Sequence, residues 1–136
     1  MGAKREPITI NGRSIGIAIL TAEQLFIGVI HFLVGLLLLV SSSAILSSAL
    51  TYDVYTAVFG FLVSVFAWFI WRGKKAGWVG TVAVLVFVIV VDTLRVLNLP
   101  SIPGIPNFAP PTEITWSILV MIYMSTKNVR KKFGIS

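Results

Sequence analysis

Residues 82 to 91 read Val-Ala-Val-Leu-Val-Phe-Val-Ile-Val-Val. In water such a run is a buried strand, because β-branched side chains suit a pleated surface. In lipid an isolated strand leaves its backbone N–H and C=O groups unpaired, whereas a helix satisfies its own, so there the helix wins. The solvent therefore decides the fold. The 136-residue chain is 57% hydrophobic and 12% charged, more apolar surface than a soluble domain of this size can cover. Lipid is the solvent, and the valine run belongs to a membrane-spanning helix. A transmembrane barrel is set aside because its strands alternate apolar and polar residues, and this run does not.

Working outward, the apolar residues gather in blocks at about 15–40, 54–71, 78–97 and 111–126. A hydrocarbon core about 30 Å thick needs roughly 20 helical residues. The second and third blocks meet that length, the first exceeds it, and the fourth reaches it with its polar flanks. The expectation is an all-α membrane protein, a single domain over residues 1–136 with four transmembrane helices in a compact bundle. Ser42-Ser43-Ala44 resembles a signal-peptide cleavage site, but the length of the preceding block and its internal Glu23 argue for a retained helix.

Of the eleven Lys and Arg residues, Lys4, Arg5 and Arg13 precede the first block. Arg72, Lys74 and Lys75 fill the second connection, and Lys127, Arg130, Lys131 and Lys132 follow the fourth block. Only Arg95 lies towards the opposite side, where Asp53 and Glu113 mark the first and third connections. Positive charge near helix ends is retained in the cytoplasm, so both termini are expected inside a multi-pass plasma-membrane protein. The three basic clusters suit anionic lipid headgroups. The net charge of +6 carries no nucleic-acid reading, for no basic groove or stacking platform joins them.

The connections carry their own signals. Asn11-Gly12 is compatible with a small hairpin on the membrane surface before a Ser14 helix cap, or with a disordered lead-in. Around residues 44–50 a short surface helix is expected. The outer loop 99–110 is rich in proline, and reads either as a stiff spacer or as a docking segment presenting Ile102, Ile105 and Phe108 to a partner.

Polar residues inside the apolar blocks are the candidate functional groups. Gln24, Gly28, His31 and Gly35 fall at i, i+4, i+7 and i+11, one narrow stripe of the first helix. Small residues there permit close helix approach, and the polar ones need partners. Asp92 and Arg95, at i and i+3, are close enough to pair. At 1.5 Å per residue His31 and Asp92 lie about 5 and 7 Å outward of their helix midpoints, which makes them candidates for contact. Glu23 is rotated about 120° from Gln24 and Gly28, so one interface can hardly hold both sets. If the stripe packs inside the bundle, Glu23 is directed to another subunit or to cytoplasmic water. A self-contained transporter would instead turn Glu23 into its own cavity.

Chemistry is bounded from the other side as well. With no cysteine and one histidine, thiolate sites are excluded and a metal centre lacks ligands. Neither a complete catalytic constellation nor a cofactor motif is present, so the chain is read as neither an enzyme nor a cofactor carrier, and no small-molecule substrate is identified.

The pieces Phe69-Ile70-Trp71-Arg72-Gly73-Lys74-Lys75-Ala76-Gly77-Trp78 and Ile122-Tyr123-Met124 through Val129-Arg130-Lys131-Lys132-Phe133-Gly134 resemble a widespread group of small four-helix prokaryotic membrane proteins of unknown function. The chain is also similar to small accessory subunits of archaeal membrane oxidoreductases such as ammonia monooxygenase. That resemblance implies a non-catalytic accessory or structural subunit, with other integral membrane subunits and lipids as partners. The alternative is a small oligomeric transporter or channel using Glu23, His31 and Asp92.

Overall fold

The structure, a computed structural model, describes residues 9–10, 13–41, 48–102 and 109–135. Helix α1 spans Ile15–Ser41, α2 Ser48–Trp71, α3 Lys75–Val96, α4 Ala109–Ser125 and α5 Lys127–Lys132. Three of them contain stretches long and apolar enough to cross a membrane, Ile15–Ser41, Leu50–Trp71 and Lys75–Val96. The valine run is helical, as a hydrocarbon solvent requires. Before α1, strands β1 (Thr9–Ile10) and β2 (Arg13–Ser14) pair antiparallel on either side of Asn11-Gly12, which lies outside the described residues. Most of the anticipated surface helix at 44–50, and Ile105 and Phe108 of the outer loop, also lie outside them.

Two helix starts differ from the sequence reading for local reasons. Helix α2 begins at Ser48 rather than near residue 54, because Thr, Tyr and Asp break the apolar pattern without breaking the helix. There the Thr56 hydroxyl donates to the Tyr52 carbonyl at 2.8 Å, so it needs no partner outside its own helix. Helix α4 begins at Ala109, with Pro110 and Pro111 in its first turn. Backbone N–H groups in a first turn have no helical acceptor anyway, so proline loses nothing there and its fixed φ suits the helix. Between α2 and α3 the chain reverses at Gly73, whose φ of 66° is the left-handed region that favours glycine. The Gly73 and Lys74 N–H groups donate to the Ile70 and Phe69 carbonyls, each at 2.9 Å, and close the end of α2.

Helices α1 and α2 touch backbone to backbone. A Cβ added to Gly28 would lie 2.8 Å from the Ser64 nitrogen and 2.9 Å from the Gly60 carbonyl oxygen, and one on Gly35 would lie 2.6 Å from the Ala57 Cα. Ala57, Gly60 and Ser64 thus form the stripe of small residues on α2 that receives the glycines of α1. At one end of the molecule Ile17, Leu20, Ile70, Leu85, Val120, Met124, Val129 and Phe133 make the apolar core. Trp78 ties α3 to α4 there by donating its indole N–H to the Met124 carbonyl at 2.9 Å. The short helix α5 follows from this core: Val129 and Phe133 are buried while Lys127, Lys131 and Lys132 stay exposed. The Arg72–Lys75 turn sits at the same end, with the Arg72 guanidinium 4.7 Å from the centre of the Trp68 ring.

Large apolar side chains face outward on α1 to α4, among them Phe26, Leu37, Phe61, Val90 and Ile122, while Asp53, Thr56, Thr81, Asp92 and Ser117 are buried. That arrangement inverts the soluble pattern and fits a hydrocarbon solvent. Overpacking the glycine seam should show its weight. Gly35→Leu is expected to destabilise the folded chain in detergent by about 1–3 kcal/mol, read as a lowered midpoint in thermal or denaturant titration. Val40→Leu, at a position 87% exposed, should leave the midpoint within error.

Candidate functional site

Above the apolar core the four longer helices do not close. They leave between them a partly open cavity of about 230 Å³, and each contributes polar groups. Its lining includes Glu23, Gln24 and His31 from α1, Tyr52, Tyr55 and Thr56 from α2, Thr81 from α3, and Glu113, Trp116 and Ser117 from α4. Apolar positions, Phe59, Phe66, Leu85 and Val120 among them, complete the wall. Glu113 both lines the cavity and is exposed, so the cavity communicates with the surface at that end.

Helical spacing explains how the groups arrive. On α2, Tyr52, Tyr55 and Phe59 follow at i, i+3 and i+7 and present one face. Their rings run in sequence, with centroids 6.5 Å apart for Tyr52 and Tyr55 and 5.7 Å for Tyr55 and Phe59. His31 meets Phe59 edge-on at 5.5 Å. Its Nδ1 lies 2.9 Å from the Ile27 carbonyl; a carbonyl only accepts, so Nδ1 carries the proton and Nε2 remains as the other polar atom of the ring. Deeper in, the Thr81 hydroxyl donates to the Gln24 side-chain oxygen at 3.4 Å, a bond that crosses from α3 to α1. Glu23 lies against the Trp116 indole N–H of α4.

The stripe Gln24, Gly28, His31 and Gly35 is divided by function. Its glycines are buried against α2, and its polar members line the cavity. Glu23 lines the same cavity as Gln24 and His31, although helical projection separates it from them. The cavity is wide enough to take in both directions, which a two-helix interface is not. His31 and Asp92 make separate contacts. His31 is held by Ile27 and Phe59, whereas Asp92 is buried against Glu113. Asp92 also keeps Oδ2 buried without a hydrogen-bond partner among the described residues. Arg95 is half-buried in the last turn of α3, and Ile102 is half-buried.

The aromatic face of α2 and the Glu113 carboxyl did not figure among the sequence candidates, whereas Asp92 did, with Arg95 and His31 rather than Glu113 as its expected partners. The i, i+3, i+7 spacing of Tyr52, Tyr55 and Phe59 was the available signal for the first. For the second no local signal exists, since Glu113 meets Asp92 only when α4 folds back along α3. Among the described residues no three His, Asp or Glu side chains cluster as metal ligands.

The fold and this cavity together define the class, an α-helical protein with three helices able to cross a membrane and its polar side chains turned inward. Beyond that class, no protein family, curated protein or solved structure matches the chain.

A chain without cysteine gives no background in thiol labelling. Ser117→Cys, on the cavity wall, should react with a cationic methanethiosulfonate on the order of tenfold faster than with its sulfonate counterpart, because the lining carboxylates set the local potential. Ala67→Cys, fully buried away from the cavity, should react with neither. Equal rates at position 117 for the two reagents would remove the electrostatic reading of the cavity.

Proposed function

We propose that the chain is a small membrane transporter whose intramembrane cavity receives the solute, with Glu23 as its central charged group. The observation that carries this reading is the placement of Glu23. An intramembrane carboxylate is costly against lipid and persists where it faces water, a partner or a pathway. Here, half-buried, it lines the partly open cavity with Gln24 and His31 instead of facing away from them. An accessory subunit uses such a group for outward contacts; a transporter uses it within.

In this reading α4 makes the fourth span. Its 17 residues reach about 26 Å at 1.5 Å per residue, close to the hydrocarbon thickness. Its exposed Ile118, Leu119 and Ile122 match the outward faces of the other three helices. The shared end bearing Arg72, Lys74, Lys75, Lys127, Arg130, Lys131 and Lys132 lies in the cytoplasm of the cell membrane, among anionic headgroups. Both termini are then inside, and Glu113 opens the cavity towards the outside. Transport needs no covalent step, and none is assigned.

Topology is checked by surface labelling of intact cells. Cysteine at Ser101 should react with an impermeant maleimide, and cysteine at Gly73 should react only after the membrane is permeabilised. The reverse pattern would invert the orientation.

The functional test places a photoreactive residue at position 23 in native membranes. Adducts within the chain or to a second copy are expected, and adducts to unlike subunits would overturn the proposal in favour of an accessory role. In parallel, proteoliposomes holding the purified chain should show a cation flux under an imposed potential that Glu23→Gln lowers by about tenfold or more, with Val86→Leu as the control. A flux indifferent to Glu23 would count equally against it.

A further inference from the structure

The cavity lining also specifies what it can hold. Resting on the transporter reading above, we propose that the ligand is a monovalent organic cation, a substituted ammonium carrying one ring or a few short alkyl groups.

Charge comes first. Glu23 and Glu113 line the cavity while no Lys or Arg does so among the described residues. Trp116 connects the two acids: Glu23 lies against its indole N–H, and Glu113 stands one turn away on the same helix. Behind Glu113 sits Asp92, only 2% exposed, with one carboxyl oxygen lacking any partner among the described residues. Acidic groups thus stand both at the opening of the cavity and deeper along it, with no Lys or Arg in its described lining, a setting that favours a cation over an anion.

Ring faces come second. Lining the same cavity, Tyr52, Tyr55 and Phe59 form a continuous wall of tilted rings. The negative faces of aromatic rings attract alkylated ammonium groups, and most of all where water is excluded. A bare metal ion is a poor match for the same wall, since it needs several oxygen or nitrogen ligands and the described residues offer no group of three. An alkylammonium uses both halves of the lining, carboxylates for its charge and rings for its hydrocarbon.

Size comes third. A cavity of about 150 Å³ takes up benzene, so the cavity of about 230 Å³ accommodates a ring and a small ammonium group together.

The experiment uses the full chain in lipid nanodiscs and equilibrium dialysis against labelled phenyltrimethylammonium. Its neutral isostere tert-butylbenzene and the anion benzoate serve as competitors. Saturable binding is expected, with the isostere at least about tenfold weaker, the factor conferred by a good cation–ring contact, and with no competition by benzoate. Tyr55→Leu and Glu113→Gln should each weaken binding by about tenfold or more, with helix content by circular dichroism confirming that each variant folds. Val86→Leu should bind as the parent chain does. Equal affinity for the cation and its isostere, or competition by benzoate, would overturn the assignment of ligand class. Absence of binding together with self-adducts only from position 23 would overturn the organic cation and leave the transporter reading intact. Adducts from position 23 to unlike subunits would remove both.

Discussion

The close backbone contact between α1 and α2 governs the rest of the structure. Glycines at positions 28, 35 and 60 let the two helices approach without side chains between them, which lipid, being as apolar as leucine, does not by itself favour. Gly77 of α3 makes a similar close approach to the Phe69 and Ile70 backbone at the end of α2, but further contacts run through large groups. Phe66 of α2 lies over Gly80 of α3, and Tyr123 of α4 lies over Gly16 of α1. Four helices held at unequal separations do not close into a uniform core. The apolar cluster seals the end where α5 and the Arg72–Lys75 turn lie, and the unfilled space remains above it.

Polar residues collect in that space because the alternatives are worse. A side chain such as Gln24 or Thr81 facing hydrocarbon has no hydrogen-bond partner; turned inward, each finds the other across the cavity. The indole of Trp78 is satisfied by the Met124 carbonyl within the sealed end, and the hydroxyls of Thr56 and Ser64 by carbonyls of their own helix. The exceptions are Thr21 and Asp92, each with a side-chain oxygen buried and unpaired among the described residues, and Asp92 is the acid of the two. A charged or polar group left in this state is expensive, and its neighbour Glu113 is another acid.

Much of the scaffold could be read from hydropathy, because a hydrocarbon solvent permits so few backbone arrangements. The valine run is the plainest instance: its β-branched composition argued for a strand, and backbone hydrogen bonding overrode it. Helix starts were less legible. Polar residues at the head of α2 and prolines at the head of α4 look like loop in a hydropathy window, yet both are compatible with helix once the first-turn hydrogen bonds are counted. At the site, the residues of α1 were visible as a stripe, but their division into seam and lining was not. The glycines seek a facing backbone and the polar groups seek space, and a helical projection does not distinguish these. Equal depth placed His31 and Asp92 together; each has a different partner, and depth carries no information about azimuth. Small residues on α2 at positions 57, 60 and 64 were the overlooked counterpart to the glycines of α1.

Helix α2 is the element packed along both α1 and α3, and its hydrogen bonding has a mechanical side. The Tyr52 and Gly60 carbonyls each accept a hydroxyl, from Thr56 at 2.8 Å and from Ser64 at 2.9 Å. Such a carbonyl shares its lone pairs between the hydroxyl and the backbone N–H one turn on, and helices yield in curvature where this occurs. Helix α2 is therefore most compliant at two levels eight residues apart, and between them lie Tyr55 and Phe59 of the aromatic wall. Because Gly60 and Ser64 also belong to the seam with α1, the same stretch of α2 carries the aromatic wall on one face and the closest helix contact on another, so curvature there bears on both at once.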